Sequence, residues 1–259
     1  MRDFDGTSDY LSFDSTHIDE EAKLAVSVWF EHDTEALERM LVFATTGNKS
    51  FMLVTNGETT SEVNFLSTYG HSSRLGADAS SRVRGAITLN AKQHFCGTVA
   101  ATTDYTRDIL SAYVNGAAIT NTGGTSYYTT GGLSDRLTIA ARTNGDSKFD
   151  GKIGEIAIWE GYELTLEDSK WLAGGGNPTA ITGGTLVHYS RLEGGGSGEI
   201  DLISGAVGTL NGTPEQWEHP AIQRLAPQVV QFGDVAALNN ERISSMHFQR
   251  HYEPIAMGK

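Results

Sequence analysis

The amino-acid sequence predicts an all-β protein, folded as a sandwich or a barrel, and three observations support this fold class. Short runs of alternating apolar and polar residues recur along the 259 residues, separated by clusters of Gly, Asn, Ser and Thr. Glycine is abundant (30 residues) and proline is scarce (5 residues), as expected of many strands joined by tight turns. Asn-Gly pairs such as Asn115-Gly116 favour hairpin turns, because both residues tolerate a positive φ angle.

Eight runs are predicted to form strands, and the first shows the pattern most clearly. Val26, Val28 and Phe30 share one face of that run, because successive side chains of a strand point to opposite faces. Ser27 and Trp29 lie on the other face. The predicted strands are residues 24–30, 39–45, 51–56, 62–69, 94–103, 110–116, 136–142 and 152–161.

Two segments are predicted to be helical. The first begins after Thr165, a residue type that caps helix N-termini, and it carries Glu167 and Asp168 near the positive end of the helix. A run of glycines ends it. The second spans residues 234–252 and has a loose apolar stripe, formed by Val235, Leu238, Ile243 and Met246.

Composition excludes several classes of protein. The formal net charge of −13 disfavours binding to a nucleic-acid backbone, which requires clustered Lys and Arg. No run of about 18 apolar residues occurs, so we predict no membrane-inserted segment. The first ten residues contain no apolar stretch of signal-peptide length, and the single cysteine, Cys96, allows no internal disulfide. The lack of a disulfide favours assembly in a reducing compartment.

The chain changes character near residue 219. Residues 1–218 carry 15 Lys and Arg against 29 Asp and Glu, whereas residues 219–259 carry 4 against 3. The second segment lacks strand alternation but keeps apolar and aromatic residues, which a purely solvated tail seldom does. We predict a domain at 1–218 and an extended C-terminal arm at 219–259 that orders against another subunit. Its assembly contacts are predicted to be Val229, Phe232, Leu238, Ile243, Phe248 and Tyr252.

Four stretches follow one another in a recognisable order along the first 173 residues. They are FDGTSDYLSF (4–13), AVSVWFEHD (25–33), LSAYVNGAAI (110–119) and LTIAARTNGDSKFDGKIGEIAIWEGYELTLEDSKWL (137–172). In this order and spacing they resemble the laminin-G-like, concanavalin A-like jelly-roll family. The resemblance implies a jelly-roll β-sandwich with a short helix.

Residues 186–220 add a second resemblance. The stretch combines a Gly-Ser-Gly turn, an Asp-Leu pair and the sequence GTLNG. It is similar to laminin-G-like proteins of tailed phages and environmental viruses. This implies a non-catalytic virion structural protein that is assembled in the host cytoplasm, either a capsid decoration protein or a tail or fibre component. Its partners would be copies of itself, other virion structural proteins and host-surface glycans.

Two alternatives to the virion hypothesis stay open. One is a Ca²⁺-assisted carbohydrate-binding lectin that is not tied to a virion. The other is a glycoside hydrolase, because many glucanases of this sandwich family cut sugars with paired acids on one strand. Glu155 and Glu160 lie on the predicted strand 152–161.

The spacing of these two acids argues against catalysis. Glu155 and Glu160 are five residues apart, so a regular strand directs them to opposite faces, and a bulge is needed to bring both to one side. The resembling glucanases carry Glu-x-Asp-x-x-Glu, whereas Ala157 occupies the middle position here. We predict that Ile156 and Ile158 point inward and that Glu155 is an ordinary sheet residue.

The segment EIDLIS (199–204) poses the same question. Glu199 and Asp201 match the first half of the glucanase motif, but Ser204 stands where the second glutamate is required. The segment follows GGGSG, which predicts that it begins as a turn. We therefore predict no catalytic residues and no enzyme activity.

Two candidate binding sites follow from the family resemblance. Members often hold Ca²⁺ at the rim of the sandwich, and the acids in stretches that resemble such rim loops are Asp5, Asp9, Asp146 and Asp150. Glycan binding requires exposed aromatic side chains, for which the candidates are Tyr69, Tyr127, Tyr128 and Trp217. The alternatives are that the acids only form turns and that residues 126–130 are an edge strand.

Overall fold

The computed structural model describes most of the first 218 residues. The described ranges are 1–19, 23–34, 38–44, 49–55, 62–69, 81–101, 106–119, 126–127, 133–141, 145–146, 148–193 and 198–218. The predicted arm at 219–259, with its assembly residues and its helix, lies outside them.

The described residues form strands almost throughout. The strands are β1 (Arg2–Asp5), β2 (Tyr10–Asp19), β3 (Leu24–His32), β4 (Glu38–Ala44), β5 (Lys49–Thr55), β6 (Glu62–Tyr69), β7 (Ser81–Ala86), β8 (Gln93–Ala101), β9 (Thr106–Val114), β10 (Ala117–Ala118), β11 (Ser126–Tyr127), β12 (Leu133–Ile139), β13 (Asp150–Glu160), β14 (Thr185–Ser190), β15 (Gly198–Ile200), β16 (Val207–Asn211) and β17 (Glu215–Gln216). One α-helix, α1 (Leu166–Ala173), and a 3-10 turn at Pro178–Ala180 complete them. All eight predicted strands are present, and the sandwich prediction is confirmed.

Two antiparallel sheets build the sandwich. Sheet A has the order β10-β9-β8-β3-β13-β1-β17, with β11 added beside β9 and β14 beside β13. Sheet B has the order β15-β16-β2-β12-β4-β5-β6-β7. The first and last described strands, β1 and β17, are neighbours in sheet A. Among the described residues no helix is long and apolar enough to cross a bilayer.

The main core lies between the two sheets. Val26, Val28 and Phe30 face it and are fully buried, as the alternation predicts. Phe13 of β2 and Leu137 of β12 meet them from sheet B. Burial of such side chains contributes about 1.5–3 kcal/mol each, so this core stabilises the sandwich without a disulfide.

A second apolar cluster lies on the outer face of sheet A. Trp159 and Cys96 are fully buried there, covered by α1 through Leu172. The helix begins as predicted: the Thr165 hydroxyl accepts a hydrogen bond from Asp168 N (3.1 Å), and the Asp168 carboxylate accepts one from Thr165 N (2.9 Å). The helix thus covers one end of the outer face of sheet A.

Strand β13 carries a bulge at Glu155. Its register against β3 shifts between Gly154 and Ala157, and Glu155 has a φ of 49°, which is unusual for a residue other than glycine. The extra residue changes the alternation, so that Ile153 and Ile156 both enter the main core although they are three positions apart. The sequence prediction of an ordinary strand at Glu155 is therefore wrong.

Candidate functional site

The open end of the outer face of sheet A carries a row of charged residues. Direct cross-strand pairing places Glu31 opposite Lys152, Lys152 opposite Asp3, and Asp3 opposite Glu215. Residues that face each other across antiparallel strands share one face of the sheet. These four residues, called the charged row below, therefore cross β3, β13, β1 and β17 in a line.

Lys152 is the centre of this row. Its Nζ donates hydrogen bonds to Glu31 Oε1 (2.9 Å) and Asp33 Oδ2 (3.0 Å), and the residue is only 6% exposed. Burial alone lowers the pKa of Lys152, but the hydrogen bonds that it donates to Glu31 and Asp33 outweigh burial and raise the pKa above its usual value. The ammonium group is therefore held charged and fixed in position.

Trp217 lies directly above this lysine. Lys152 Nζ is 4.9 Å from the centre of the indole ring, and 47% of Trp217 is exposed. The Trp217 backbone N donates to Met1 O (2.9 Å), which fixes the chain just after β17. A cation under one ring face restrains the indole and leaves aromatic surface open to solvent. This is the arrangement that a flat apolar ligand face can stack on.

Acids around this site repel one another. The pKa of Asp3 is raised, first because the group is partly buried, and then because Asp33, Glu215 and Asp150 are close; Lys152 opposes the shift. Carboxylates outnumber amines at this site. Lys152 is paired with Glu31 and Asp33, Lys92 Nζ lies 3.4 Å from Glu218 Oε2, and the Met1 amino group donates to Trp217 O (3.3 Å). Carboxylates in this setting accept hydrogen bonds from hydroxyl groups, whereas an anionic ligand is repelled.

Glu155 does not form an accessible acid pair with Glu160. Glu155 is 1% exposed, its Oε2 accepts a hydrogen bond from Tyr189 Oη (2.6 Å), and Arg191 Nε lies 3.7 Å from Oε1. Burial raises the pKa of Glu155 to about 7, against the opposing effects of Tyr189 and Arg191. Ile156 and Ile158 point into the core as predicted. A buried carboxylate has no access to a polysaccharide chain.

The sequence interpretation missed a cluster of buried polar residues between β14 and the hairpin β15–β16. His188 Nε2 is 3.0 Å from Ser190 Oγ, and His188 Nδ1 is 3.5 Å from Asp201 Oδ2. Together with Ser204, these residues are called the Asp201 cluster. Serine, histidine and aspartate in this order could activate a nucleophile. Ser190 and His188 are at most 1% exposed, however, so no substrate reaches the hydroxyl.

Asp201 anchors the turn of this hairpin. Its carboxylate accepts hydrogen bonds from Tyr189 N (2.9 Å), Ile203 N (3.1 Å), Ser204 N (3.3 Å) and Ser204 Oγ. Burial raises the pKa of Asp201, but the bonds from His188, Ser204 and Tyr189 outweigh it and hold the pKa well below its usual range. The sequence analysis predicted that the segment 199–204 begins as a turn. In the structure its first residues belong to the short strand β15, and the turn follows that strand. The period-two spacing of His188 and Ser190 was the available signal for the cluster.

Three of the four candidate calcium ligands lie close together: Asp5 pairs directly with Asp150 across β1 and β13, and Asp5 Oδ1 accepts a hydrogen bond from Asp9 N (3.0 Å). Burial raises the pKa of Asp5, but the hydrogen bonds that its two carboxylate oxygens accept from Thr7 and Ser8 within its own turn together outweigh burial and lower the pKa. Asp9 accepts a bond from Thr213 N (2.8 Å). Within the described part of the chain, no three His, Cys, Asp or Glu side chains are placed to hold a metal ion. Calcium also binds backbone carbonyl oxygens, so the calcium site stays a prediction.

The glycan candidates are placed differently from one another. Trp217 is exposed beside the charged row, as described above. Tyr69 ends β6, and Tyr127 lies in β11, which pairs with β9; the structure describes their backbone. Tyr128 lies outside the described residues. The functional prediction for these three tyrosines stays untested.

The family of the chain follows from its sequence and its fold together. Residues 5–168 match the laminin-G family of the concanavalin A-like lectin/glucanases superfamily. This match covers more than half of the chain, so the protein belongs to that family, as its motifs predicted. No curated protein sequence matches it.

Solved structures agree with this assignment at the level of the fold. A candidate carbohydrate-binding protein from Bacteroides ovatus is 19% identical, with a TM-score of 0.57, covering 85% of this chain and 60% of that chain. A heptameric pentraxin of the serum amyloid P type from Limulus polyphemus is 14% identical, with a TM-score of 0.50, covering 66% of this chain and 80% of that chain. At these identities the likeness establishes the architecture alone.

Proposed function

We propose that this protein is a non-catalytic carbohydrate-binding sandwich whose sugar site is the surface of Trp217 beside the charged row. The observation that carries the proposal is the exposed indole held over Lys152 Nζ at 4.9 Å. The apolar C–H face of a pyranose stacks on such a ring, and the carboxylates next to it accept hydrogen bonds from the hydroxyl groups at the sugar edge.

The expected ligand is a neutral glycan. Asp3, Glu31 and Glu215 surround one lysine that is already paired, so a sialic acid or a uronic acid would meet net repulsion. The lack of accessible paired acids at Glu155 supports a binding role over hydrolysis.

Binding to an array of neutral and anionic glycans tests this proposal, followed by titration calorimetry of the strongest ligand. We expect Trp217→Ala to weaken binding at least about tenfold, the equivalent of about 1.4 kcal/mol. Trp171→Ala is the matched control, because Trp171 is 38% exposed and lies on α1, at the covered end of the sheet. Equal affinity of wild type and Trp217→Ala would show that the site is wrong, and an array without any ligand would contradict glycan binding.

A chelator added to the same titration separates the calcium-assisted alternative. The hydrogen bonds that Asp5 already accepts lead us to expect the same affinity with and without chelator. Loss of binding in chelator would instead support a calcium-dependent lectin with ligands among the other rim acids.

We further propose that the sandwich serves as a tailed-phage virion structural protein, in a capsid decoration, tail or fibre position. The resemblance of residues 186–220 to such viral proteins supports this role, as does the apolar composition of residues 219–259. A chain ending at residue 218 is expected to keep the unfolding temperature of the sandwich but to lose incorporation into particles. Normal incorporation of this truncated chain would refute the proposed assembly role of residues 219–259.

A further inference from the structure

The hairpin β15–β16 has an inverted polarity at its tip. Asp201 is buried (3% exposed), whereas the aliphatic residues around it are exposed. Their exposed fractions lie between 45% and 68%, for Ile200, Leu202, Ile203 and Val207. These four residues are called the aliphatic tip below. Scattered exposed apolar residues are common, but a buried acid beneath a group of exposed aliphatic residues is informative.

The aliphatic tip is held rigidly. Ile200 and Val207 are direct cross-strand partners on one face of the hairpin. Leu202 N donates to Tyr189 O (2.8 Å), and Ile203 N donates to the Asp201 carboxylate (3.1 Å). The backbone of the tip is therefore held in place before any partner binds, which reduces the entropy that association would cost.

The exposed residues of the tip segment carry no charge that would attract an ionic partner, since Asp201 is buried. No charged residue occurs from 202 to 214, in a chain with a net charge of −13. No Lys or Arg occurs from 192 to 223 either, which disfavours an anionic lipid surface. Aliphatic side chains also offer nothing that a sugar hydroxyl can bond to. Ionic partners, anionic lipids and sugars are therefore disfavoured, and an uncharged apolar protein surface is the partner that matches the tip.

We propose that the aliphatic tip is a self-association surface that meets the same tip of a second copy around a twofold axis. A second copy supplies an apolar patch of equal size, and contact at the tip brings together a part of each acidic chain that has no charge to repel. This inference deepens the self-assembly part of the proposed function and does not depend on glycan binding.

The size of the tip predicts a weak contact. About half of each aliphatic side chain is exposed, so the patch measures on the order of 400 Å² in each copy, similar to the largest patch on a typical monomer. Two copies would bury on the order of 800 Å², which is below the roughly 1,200 Å² of stable interfaces. Association is therefore expected at high local concentration, as when many copies are held on one particle.

Sedimentation velocity of the full-length protein over a wide concentration range tests this proposal. We expect a reversible monomer–dimer equilibrium, and we expect the double variant Leu202→Asp/Ile203→Asp to raise the dimer dissociation constant at least about tenfold. The control is Leu166→Asp, which changes a 40% exposed leucine at the first position of α1, where an acid suits the helix. Val207→Lys, at the most exposed of the four positions, provides a second test if the double variant unfolds.

Cysteine crosslinking gives an independent test. Ile203→Cys is expected to form a disulfide-linked dimer on mild oxidation. The native Cys96 does not interfere, because it is buried and burial raises the pKa of its thiol to about 12.

Three results would overturn the inference. The first is a wild-type protein that stays monomeric at every concentration. The second is a double variant that associates as tightly as wild type. The third is a wild-type protein that binds neutral lipid vesicles through the tip while it remains monomeric. Association that survives in the double variant but is lost on truncation at residue 218 would assign self-assembly to the arm instead. Glycan affinity measured on the same variants is expected to stay constant, so failure of this inference is distinct from failure of the sugar site.

Discussion

The charged row and the Asp201 cluster are two polar regions with different residue types and different access to solvent. Lys152 of the row is paired with Glu31 beneath an exposed indole, whereas Ser190 and His188 of the cluster contact each other with almost no exposed surface. Judged by residue types alone, the cluster resembles a catalytic site more closely than the row does. The comparison teaches that exposure, rather than the set of residue types, identifies the candidate site in this fold.

Removing Asp201 tests the structural role of the cluster and should have the largest effect. Asp201→Ala leaves Tyr189 N and the turn donors without their acceptor, and each buried unsatisfied donor costs about 1–3 kcal/mol. We expect a loss of about 3 kcal/mol or more in the free energy of unfolding, measured in urea. The control is Asp5→Ala, where the same kind of acceptor lies in an exposed turn and water replaces it, at about 1 kcal/mol or less. Equal losses of unfolding free energy in Asp201→Ala and Asp5→Ala would contradict the idea that the buried carboxylate matters more than the exposed one.

Glu155 gives a pH-dependent test of the buried region. Its pKa is about 7 in the folded protein against 4.5 in the unfolded chain, so only the folded state holds this proton between those values. This group therefore lowers the free energy of unfolding as pH rises from about 4.5 to about 7. Glu155→Gln removes the titrating carboxyl group. Relative to wild type, the free energy of unfolding of the variant should therefore rise by on the order of 2–3 kcal/mol across that window. Urea unfolding at a series of pH values measures this, and parallel curves would show that Glu155 does not titrate there.

Lys152 tests whether the charged row supports Trp217. Lys152→Met keeps the apolar stem but leaves Glu31 and Asp33 without their shared ammonium group. Both acids are partly exposed, so we expect a loss on the order of 1–2 kcal/mol in stability. Glycan affinity should fall as well, because the indole loses the cation beneath it. Lys152→Arg is the control that retains the charge. Unchanged sugar affinity in Lys152→Met would show that the charged row does not contribute to the Trp217 site.

Helix α1 gives the smallest expected effect and marks the covered end of the sheet. Thr165→Ala removes the N-cap acceptor for Asp168 N and should cost about 1 kcal/mol in the free energy of unfolding. Glycan affinity should not change, because the helix lies over Trp159 rather than beside Trp217. Thr165→Ser should restore the stability. A loss of sugar binding in Thr165→Ala would mean that the two ends of the face are not independent.

Local patterns in the sequence predicted much of the fold. Alternation over residues 24–30 identified β3 and its core face, and Thr165 with Asp168 identified the start of α1. These features depend on neighbours in sequence. The bulge at Glu155 was missed, because it arises from the competing pairings of β13 with β3, β1 and β14.

The candidate site was predictable only in part. Trp217 was recognised as an aromatic residue in a loop-like stretch. Its link to Lys152 was not, because the two residues are brought together only by the pairing of β17 with β1 and of β1 with β13. The burial of Asp201 was missed for a similar reason, since its donors come from β14 as well as from its own turn.

The pairing of β1 with β17 has a consequence for how the protein folds. Arg2 pairs with Gln216 and donates a hydrogen bond to Pro214 O across 212 residues. Closing so long a segment is entropically costly, and folds dominated by distant pairings form slowly. During synthesis, β1 has to wait for almost the whole sandwich to leave the ribosome before β17 reaches it. The proposed sugar site at Trp217 is therefore expected to be among the last features to form. Binding of a sugar to it would then indicate that folding is complete.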